Sequence, residues 1–408
     1  MPSAPSPDTA PPGVLYLSYD GMLEPLGQSQ VIAYLEPLAR EFRVHLISHE
    51  KPADMARADR LGALAARLEA SGIRWHPRRY HKRPPLLSTV WDMATAALAV
   101  WRIGRRERVR IVHARSVLSA AIAWPAVKLL RAKFIVDIRG LWVDERADGG
   151  VVARNGPVYR LLKAMERSVL RAADSIVTLT HASVPTLRDD PRFGRPHAGV
   201  SVIPTCADFT RFAPGPAADT AAALVVGYVG QIGGWYRFDR MVELFKQFRA
   251  VRPDARMLVI NRPQHDEIHR QFRAAGVVPE HYEVRAAELS EVPAQVRRMT
   301  LALSVNAENF SNLARAPTKL AEYLGCGVPC LSSDGVGDVS AILEGERVGV
   351  VVRDWSEAGQ RDAVGRMLAL LQDPGLRDRC IAAAHRRFAL TDGVAAYRGI
   401  YRQLAAAA

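Results

Sequence analysis

The chain has 408 residues, 49% of them hydrophobic and 24% charged. That is too long for one ordinary core and suits two domains or three small ones. The balance excludes a disordered, a collagen-like or a polytopic membrane chain. Four cysteines, Cys206, Cys326, Cys330 and Cys380, show neither a CxxC pair nor a zinc-ligand spacing. This argues against a disulfide scaffold or structural zinc and fits a reducing cytosol. The net charge is +13, and most of it sits in the first half: residues 1–222 carry 31 basic and 21 acidic groups, residues 223–408 carry 24 and 21. Such asymmetry points to an anionic partner, whether a phosphate ligand, an anionic membrane or nucleic acid. The plainer alternative is a general bias toward arginine.

Residues 1–12 are rich in Pro, Ser and Ala, with neither the basic nor the apolar region of a signal peptide, and read as a disordered tail. No run is long and apolar enough to span a membrane. A short apolar run, 14–18 (VLYLS), reads as a buried parallel strand. A Gly/Pro loop follows, then a helix over 28–42 blemished by Pro37. Strands are predicted at 44–48, 111–114, 134–138, 175–180 and 200–204. Helices are predicted at 57–71, stopped by Gly72, in the apolar stretches 86–101 and 117–127, and at 157–173. The stretch 212–223 (FAPGPAADTAAA) reads as a linker. The pattern then restarts, with strands at 224–229, 256–260, 301–305, 328–332 and 348–352 and helices at 238–251, 318–324, 357–371 and most of 375–404. Strand–helix alternation of this kind predicts two tandem Rossmann-like, doubly wound α/β domains, 13–211 and 224–385, with a terminal helix over 386–408. Ligands of such sheets bind at the carboxyl ends of the strands, and two such domains facing one another would form a cleft.

Several strand-end stretches could carry chemistry. The loop and helix start from Ser18 to Gln30 contain Gly27 and Gln28, with free backbone N–H groups suited to a phosphate or sugar. The run Asp137–Arg146 packs charges directly after an apolar strand. Either Asp137 and Arg139 form an ion pair with Trp142 as core filler, or Arg139 faces a diphosphate and Asp144 or Glu145 meets sugar hydroxyls or acts as a base. In Arg315–Pro329, Pro317 suits a helix start, the helix N-terminus with Thr318, Lys319 and Leu320 forms an anion site, and Glu322 shares a face with Thr318 and suits a ribose diol. Gly230 and Gln231 lie in a glycine loop after the second domain's first strand. A basic-aromatic region with Arg78, Arg79, Lys82, Arg83, Arg105 and Arg106 suits an anionic lipid surface or a solvated face. Nucleic acid has no motif in its favour.

The segments VLYLSYDGM, FIVDIRGLWVDERADGG, SVIPTCADFTRF, VGYVGQIGGWY and APTKLAEYLGCGVPCLSSDGVGDV, in this order, resemble bacterial family-4-type glycosyltransferases. These are retaining GT-B enzymes of cell-surface polysaccharide synthesis. The resemblance runs from about residue 14 to the C-terminus. It implies two Rossmann-like domains around a cleft, the last helices crossing back to the first domain. The nucleotide-sugar would lie mainly on the second domain and the acceptor on the first. Glu322 would bind the nucleotide ribose, Thr318 and Lys319 would meet the diphosphate, and Gly27 would let the first loop approach the donor. No metal and no cofactor are implied, the nucleotide-sugar being a substrate. The sequence departs from the family pattern in three places. Ala314 stands where the first Glu of a Glu-x7-Glu pattern is usual. Arg139 stands in the place of a His. Gln231 and Tyr236 stand near the places of an Arg and a Lys. The diphosphate would then fall to Arg139, Lys319 and Arg315. The resulting expectation is a cytoplasmic transferase, resting on the inner face of the membrane, that moves a sugar from a UDP- or GDP-sugar to a lipid-linked or oligosaccharide acceptor. A nucleotide-sugar epimerase and a non-catalytic scaffold subunit are the alternatives.

Overall fold

The computed structural model describes residues 11–81, 85–215 and 223–407. Lys82 and Arg83, most of the expected tail and most of the expected linker lie outside the described residues. The chain forms two compact units. One runs up to Ile203 and includes the chain from Leu390 on; the other is Pro204–Ala389. The division at Ile203 falls eight residues before the end expected for the first domain at 211.

The first unit is built on seven strands: β1 (Gly13–Ser18), β2 (Arg43–Glu50), β3 (Ile73–Arg79), β4 (Val109–Arg115), β5 (Lys133–Asp137), β6 (Ser175–Thr178) and β7 (Val200–Val202). Their order is β3-β2-β1-β4-β5-β6-β7, with every neighbour parallel. The central strands are apolar almost throughout because helices cover both faces of the sheet. Ser18 pairs in register with Arg115, and Arg115 with Asp137, so three adjacent strands end level with one another. The covering helices include α1 (Ala58–Ala70), α2 (Pro85–Arg106), α3 (Val117–Leu130), α4 (Trp142–Asp148) and α5 (Pro157–Ala172). Gly72, at φ +79°, ends the turn after α1 as the sequence predicts. The helix predicted over 28–42 is instead a helical stretch from Pro25 to Leu38 with a π turn at Gln28–Ile32. Pro37, which has no N–H to offer the preceding turn, lies inside this stretch.

The second unit has six parallel strands: β8 (Val225–Val229), β9 (Arg256–Ile260), β10 (Tyr282–Arg285), β11 (Leu301–Ser304), β12 (Cys330–Ser333) and β13 (Gly349–Val352), in the order β10-β9-β8-β11-β12-β13. Alternate residues face opposite sides of such a sheet. Leu301 and Leu303 enter a core with Phe238, Phe245, Phe248 and Phe272 from α6 (Phe238–Val251) and its neighbour His265–Ala274. Ala302 enters the other core, with Tyr323 and Leu324 of α7 (Thr318–Gly325) and Phe388 of α8 (Leu376–Phe388). The four cysteines are buried thiols.

The helix predicted over most of 375–404 is two helices. Ala389 is extended and separates α8 from α9 (Leu390–Ala406), and with α9 the chain rejoins the first unit. Tyr397 donates to Asp137 at 3.0 Å, and the Tyr401 hydroxyl meets Nδ1 of His113 at 2.7 Å. Arg402 clasps Glu41 at the surface. The last helix thus completes the polar heart of the first sheet. Among the described residues, no helix is long and apolar enough to cross a membrane.

Candidate functional site

In the second unit the strand order reverses between β8 and β11, the place where doubly wound sheets bind ligands. The loop after β8 turns at Gly230, whose φ of +130° suits glycine. Its carbonyl is held by Asn261 Nδ2 at 2.9 Å. A β-carbon on Gly230 would lie 3.0 Å from Nζ of Lys319, so the absence of a side chain here leaves room for that ammonium. Lys319 is buried at the start of α7. Its Nζ donates to the Tyr228 hydroxyl at 3.2 Å and lies 3.7 Å from the ring centre of Tyr236. Burial pushes its pKa down to about 7, against the pull of Glu322. Glu322, one turn along and half-buried, is pushed up to about 7 by burial, with Lys319 opposing. The first two amides of α7, on Thr318 and Lys319, lack helical partners. A buried ammonium, these amides and a carboxylate one turn on can hold a polyanion with a polar group attached.

The other predicted donor residues are divided. Thr318 opens α7 and Pro317 sits one position before it, at the cap rather than in the first turn. Leu320 is in the core, and its amide is taken by Pro317 O at 3.0 Å, so only its place in the helix bears on the site. Arg315 stacks on Trp235 at 4.4 Å. Gln231 is exposed, and its carbonyl accepts from Tyr228. Sequence reasoning missed Tyr228 and Asn306. Asn306 is 3% exposed, and neither of its side-chain amide atoms has a partner among the described residues. The signal was an Asn placed directly after the apolar run 301–305.

The first unit corrects three expectations. Gly27 is not free to approach a donor: a β-carbon there would come within 2.3 Å of Gly21 O, so the glycine is needed for the loop to pack on itself. Gln28 spends both ends of its amide internally, on Met22 O at 2.6 Å and on Arg67 at 3.1 Å. Asp144 is fully buried and accepts from Tyr159 at 2.8 Å and Lys163 at 3.1 Å, with Lys163 bridging on to Glu166. Its carboxylate is spent on the α4–α5 packing, so it is not placed to meet a sugar or act as a base. Arg139 pairs with Asp137 at 3.6 Å, the ion pair considered above, and still lines a cavity at the strand ends together with Glu145. Burial works to raise the pKa of Asp137, and Arg139 and His113 outweigh it, holding it at about 2.

The basic patch is not one cluster. Arg78 and Arg79 close β3, at the sheet edge. Arg105 and Arg106 end α2, where Arg106 lies 3.4 Å from Glu107, which also holds Arg74 near the start of β3 at 2.9 Å. The pairs therefore sit toward opposite ends of β3. Along α2 between them, Val90, Trp91 and Leu98 are exposed.

Comparison with known proteins bears on this geometry. Residues 29–206 match the glycosyl transferase 4-like domain. No curated protein matches the chain by sequence. Among solved structures, sucrose-phosphate synthase from Thermosynechococcus elongatus is 16% identical, with a TM-score of 0.71 over 97% of this chain and 100% of that one. A glycosyltransferase from Rickettsia africae is 13% identical, with a TM-score of 0.69 over 97% and 98%. Anabaena HepE in complex with UDP is 13% identical, with a TM-score of 0.68 over 97% and 100%. The fold is that of the GT-B glycosyltransferases. At these identities the likeness concerns the fold alone.

Proposed function

We propose that the chain is a retaining glycosyltransferase that binds a nucleotide-sugar on its second unit. The observation that carries this reading is Lys319 at the start of α7, beside Gly230 and one turn from Glu322. Lys319 and the α7 amides would stabilise the diphosphate as it leaves, and Glu322 would accept from the ribose hydroxyls. An acceptor hydroxyl would attack C1 on the face the diphosphate leaves. The C1–O bond to phosphate breaks, and the acceptor proton passes to the departing phosphate oxygen. Two flanking carboxylates are not needed for this route, which suits a chain whose Asp144 is sealed in packing. Metal-independence and a glycan or lipid-linked acceptor belong to the same reading. Since HepE is described with UDP and with UDP-glucose, UDP is the nucleotide we expect.

Calorimetric titration with UDP, GDP and their glucose conjugates, without metal and then with magnesium, tests it. Selective binding of a uridine nucleotide is expected in both conditions. Binding of none would favour the scaffold reading, for which Ala314 and Gln231 already speak. Consumption of a nucleotide-sugar with no acceptor would favour the epimerase.

We also propose that α2 lies on an anionic membrane, Trp91, Val90 and Leu98 entering the interface and Arg105 and Arg106 meeting lipid phosphates. Changing Trp91 and Leu98 to Ser and both arginines to Gln should lower binding to phosphatidylserine vesicles at least tenfold. Sedimentation with vesicles that is unaltered by all four changes refutes the surface.

A further inference from the structure

In the first unit the chain steps from β1 to β2 and β3 in one direction, and from β3 back past β1 to β4, β5 and β6 in the other. Crossovers between parallel strands are right-handed, so a reversed direction of travel places their helices on the opposite face of the sheet. α2, α3 and α5 belong to crossovers of the second kind and share one face, where α3 packs against α2 on one side and α5 on the other. α1 and the helical stretch Pro25–Leu38, against which α9 packs, cover the other face.

The outer surfaces of these two layers differ. Besides Val90, Trp91 and Leu98 on α2, the first layer exposes Leu129 at the end of α3 and Val158 and Leu161 on α5; Leu129 and Leu161 are 73% and 70% exposed. Elsewhere among the described residues of this unit, the large apolar side chains exposed are Leu26 and, in the loop before α5, Val151. The charges are as one-sided. The acids of α2, α3 and α5 are Asp92 and Glu166, and both are buried, Asp92 held by His81 at 2.6 Å and Glu166 by Lys163. Arg102, Lys128, Arg160 and Arg171 are exposed, together with Arg105 and Arg106. The opposite layer instead exposes Asp59 and Glu69 on α1 and Asp392 on α9. A layer three helices wide that shows water bulky apolar groups and bases, with its acids turned inward, has an apolar and anionic complement.

We propose that the outer faces of α2, α3 and α5 form one continuous surface for anionic lipid. This rests on the membrane reading of α2 and widens it to two further helices. A second copy of the chain is a poor occupant, because a two-fold contact sets the same patch against itself, base against base. Lipid phosphates match the bases, and the boundary between headgroups and acyl chains takes Trp91, Leu129 and Leu161. Crossover helices run along the strands they connect. A helical layer resting on the bilayer therefore lays the strands along it as well, and the cavity at the strand ends opens sideways over the headgroups.

The native cysteines are buried, so an introduced surface cysteine takes a label selectively. The test is the full chain carrying Trp91→Cys, Leu129→Cys or Leu161→Cys, or Glu69→Cys on α1 as a control, each labelled with a polarity-sensitive fluorophore. Each is mixed with vesicles of phosphatidylserine and phosphatidylcholine, or of phosphatidylcholine alone. A blue shift of emission is expected at 91, 129 and 161 with the phosphatidylserine vesicles, reversed by high salt, and none at 69. Lys128→Gln with Arg160→Gln should weaken phosphatidylserine binding about tenfold, through the loss of two bases near an anionic surface. Both side chains are exposed, and an unchanged melting temperature checks that the variant folds. A shift at 91 with none at 129 and 161 confines the lipid to α2 and sinks this inference alone. No shift at any of the three sinks the membrane reading of α2 with it. Equal shifts on phosphatidylcholine alone overturn anionic recognition, and an equal shift at 69 overturns the choice of face. Shifts that appear without vesicles as the protein concentration rises give the surface to a second copy.

Discussion

Lys319→Ala should leave the protein folded and weaken UDP binding by about 100-fold. Hydrogen bonds to a charged partner contribute about 1.5–3 kcal/mol, and each 1.4 kcal/mol is roughly tenfold in affinity. The ammonium is fixed between Tyr228 and Tyr236 before a ligand arrives. The pH dependence follows from burial. With its pKa pushed down to about 7, Lys319 loses charge as pH rises through that value, so affinity should fall from pH 7 to 9, with a proton taken up on binding. Glu322, pushed up to about 7, loses its carboxylate form as pH falls, so affinity should also weaken from pH 7 to 5. Lys319→Ala should flatten the alkaline limb and Glu322→Gln the acid one. A wild-type UDP affinity that is flat from pH 5 to 9 would exclude both roles. The same burial acts on stability with a definite sign. In the unfolded chain Lys319 holds its proton up to about pH 10.4. The cost of the buried charge is therefore present in full below about pH 7 and is relieved as pH rises from there toward the unfolded value. Lys319→Met should raise the Tm of the ligand-free protein at pH 6.5 by about 2–4 °C, the return for removing roughly 1 kcal/mol of strain at a binding site.

Asp144→Ala should do the reverse, lowering stability by about 3–5 kcal/mol and leaving UDP affinity unchanged. Removing one partner of a buried ion pair strands the other. Here Lys163 would be left with Glu166 alone, beneath the Phe193 ring. Burial pushes Glu166 up to about 7 against the opposing Lys163, so it is a weak substitute for Asp144 near neutral pH. In a unit of about 200 residues this is a fall in Tm of roughly 6–20 °C. A variant that melts with the wild type and loses only turnover would make Asp144 a catalytic group after all.

These two residues show what the sequence could reveal. The strands of both sheets were legible because strands buried on both faces are short apolar runs between turn residues. β3 was not, since it is an edge strand carrying Arg74, Pro77, Arg78 and Arg79, the composition by which edges avoid further pairing. β10 is the other sheet's edge and was missed for the same reason. The helix His265–Ala274 buries only Ile268 and Phe272, too few for a clear period. At the site, Lys319 and Glu322 lie on one short helix, so local spacing was informative. Asp144 is different: its partners stand 15 and 19 residues away on another helix, and no spacing rule connects them. The Asp137–Arg139 pair is local and was foreseen as one of two readings, whereas Tyr397 reaches Asp137 from 260 residues further along the chain.

That last contact bears on how the protein is made. The second unit is one continuous stretch, Pro204–Ala389, whereas the first is closed by α9. On the ribosome, the unit encoded second is complete while the unit encoded first still lacks its final helix. At about 5–20 residues per second, the nascent first sheet waits roughly 10–40 s with Asp137 and His113 uncapped. The usual N-to-C order of domain maturation is inverted, and a chain truncated just after Ala389 would carry the whole second unit attached to a first unit without α9.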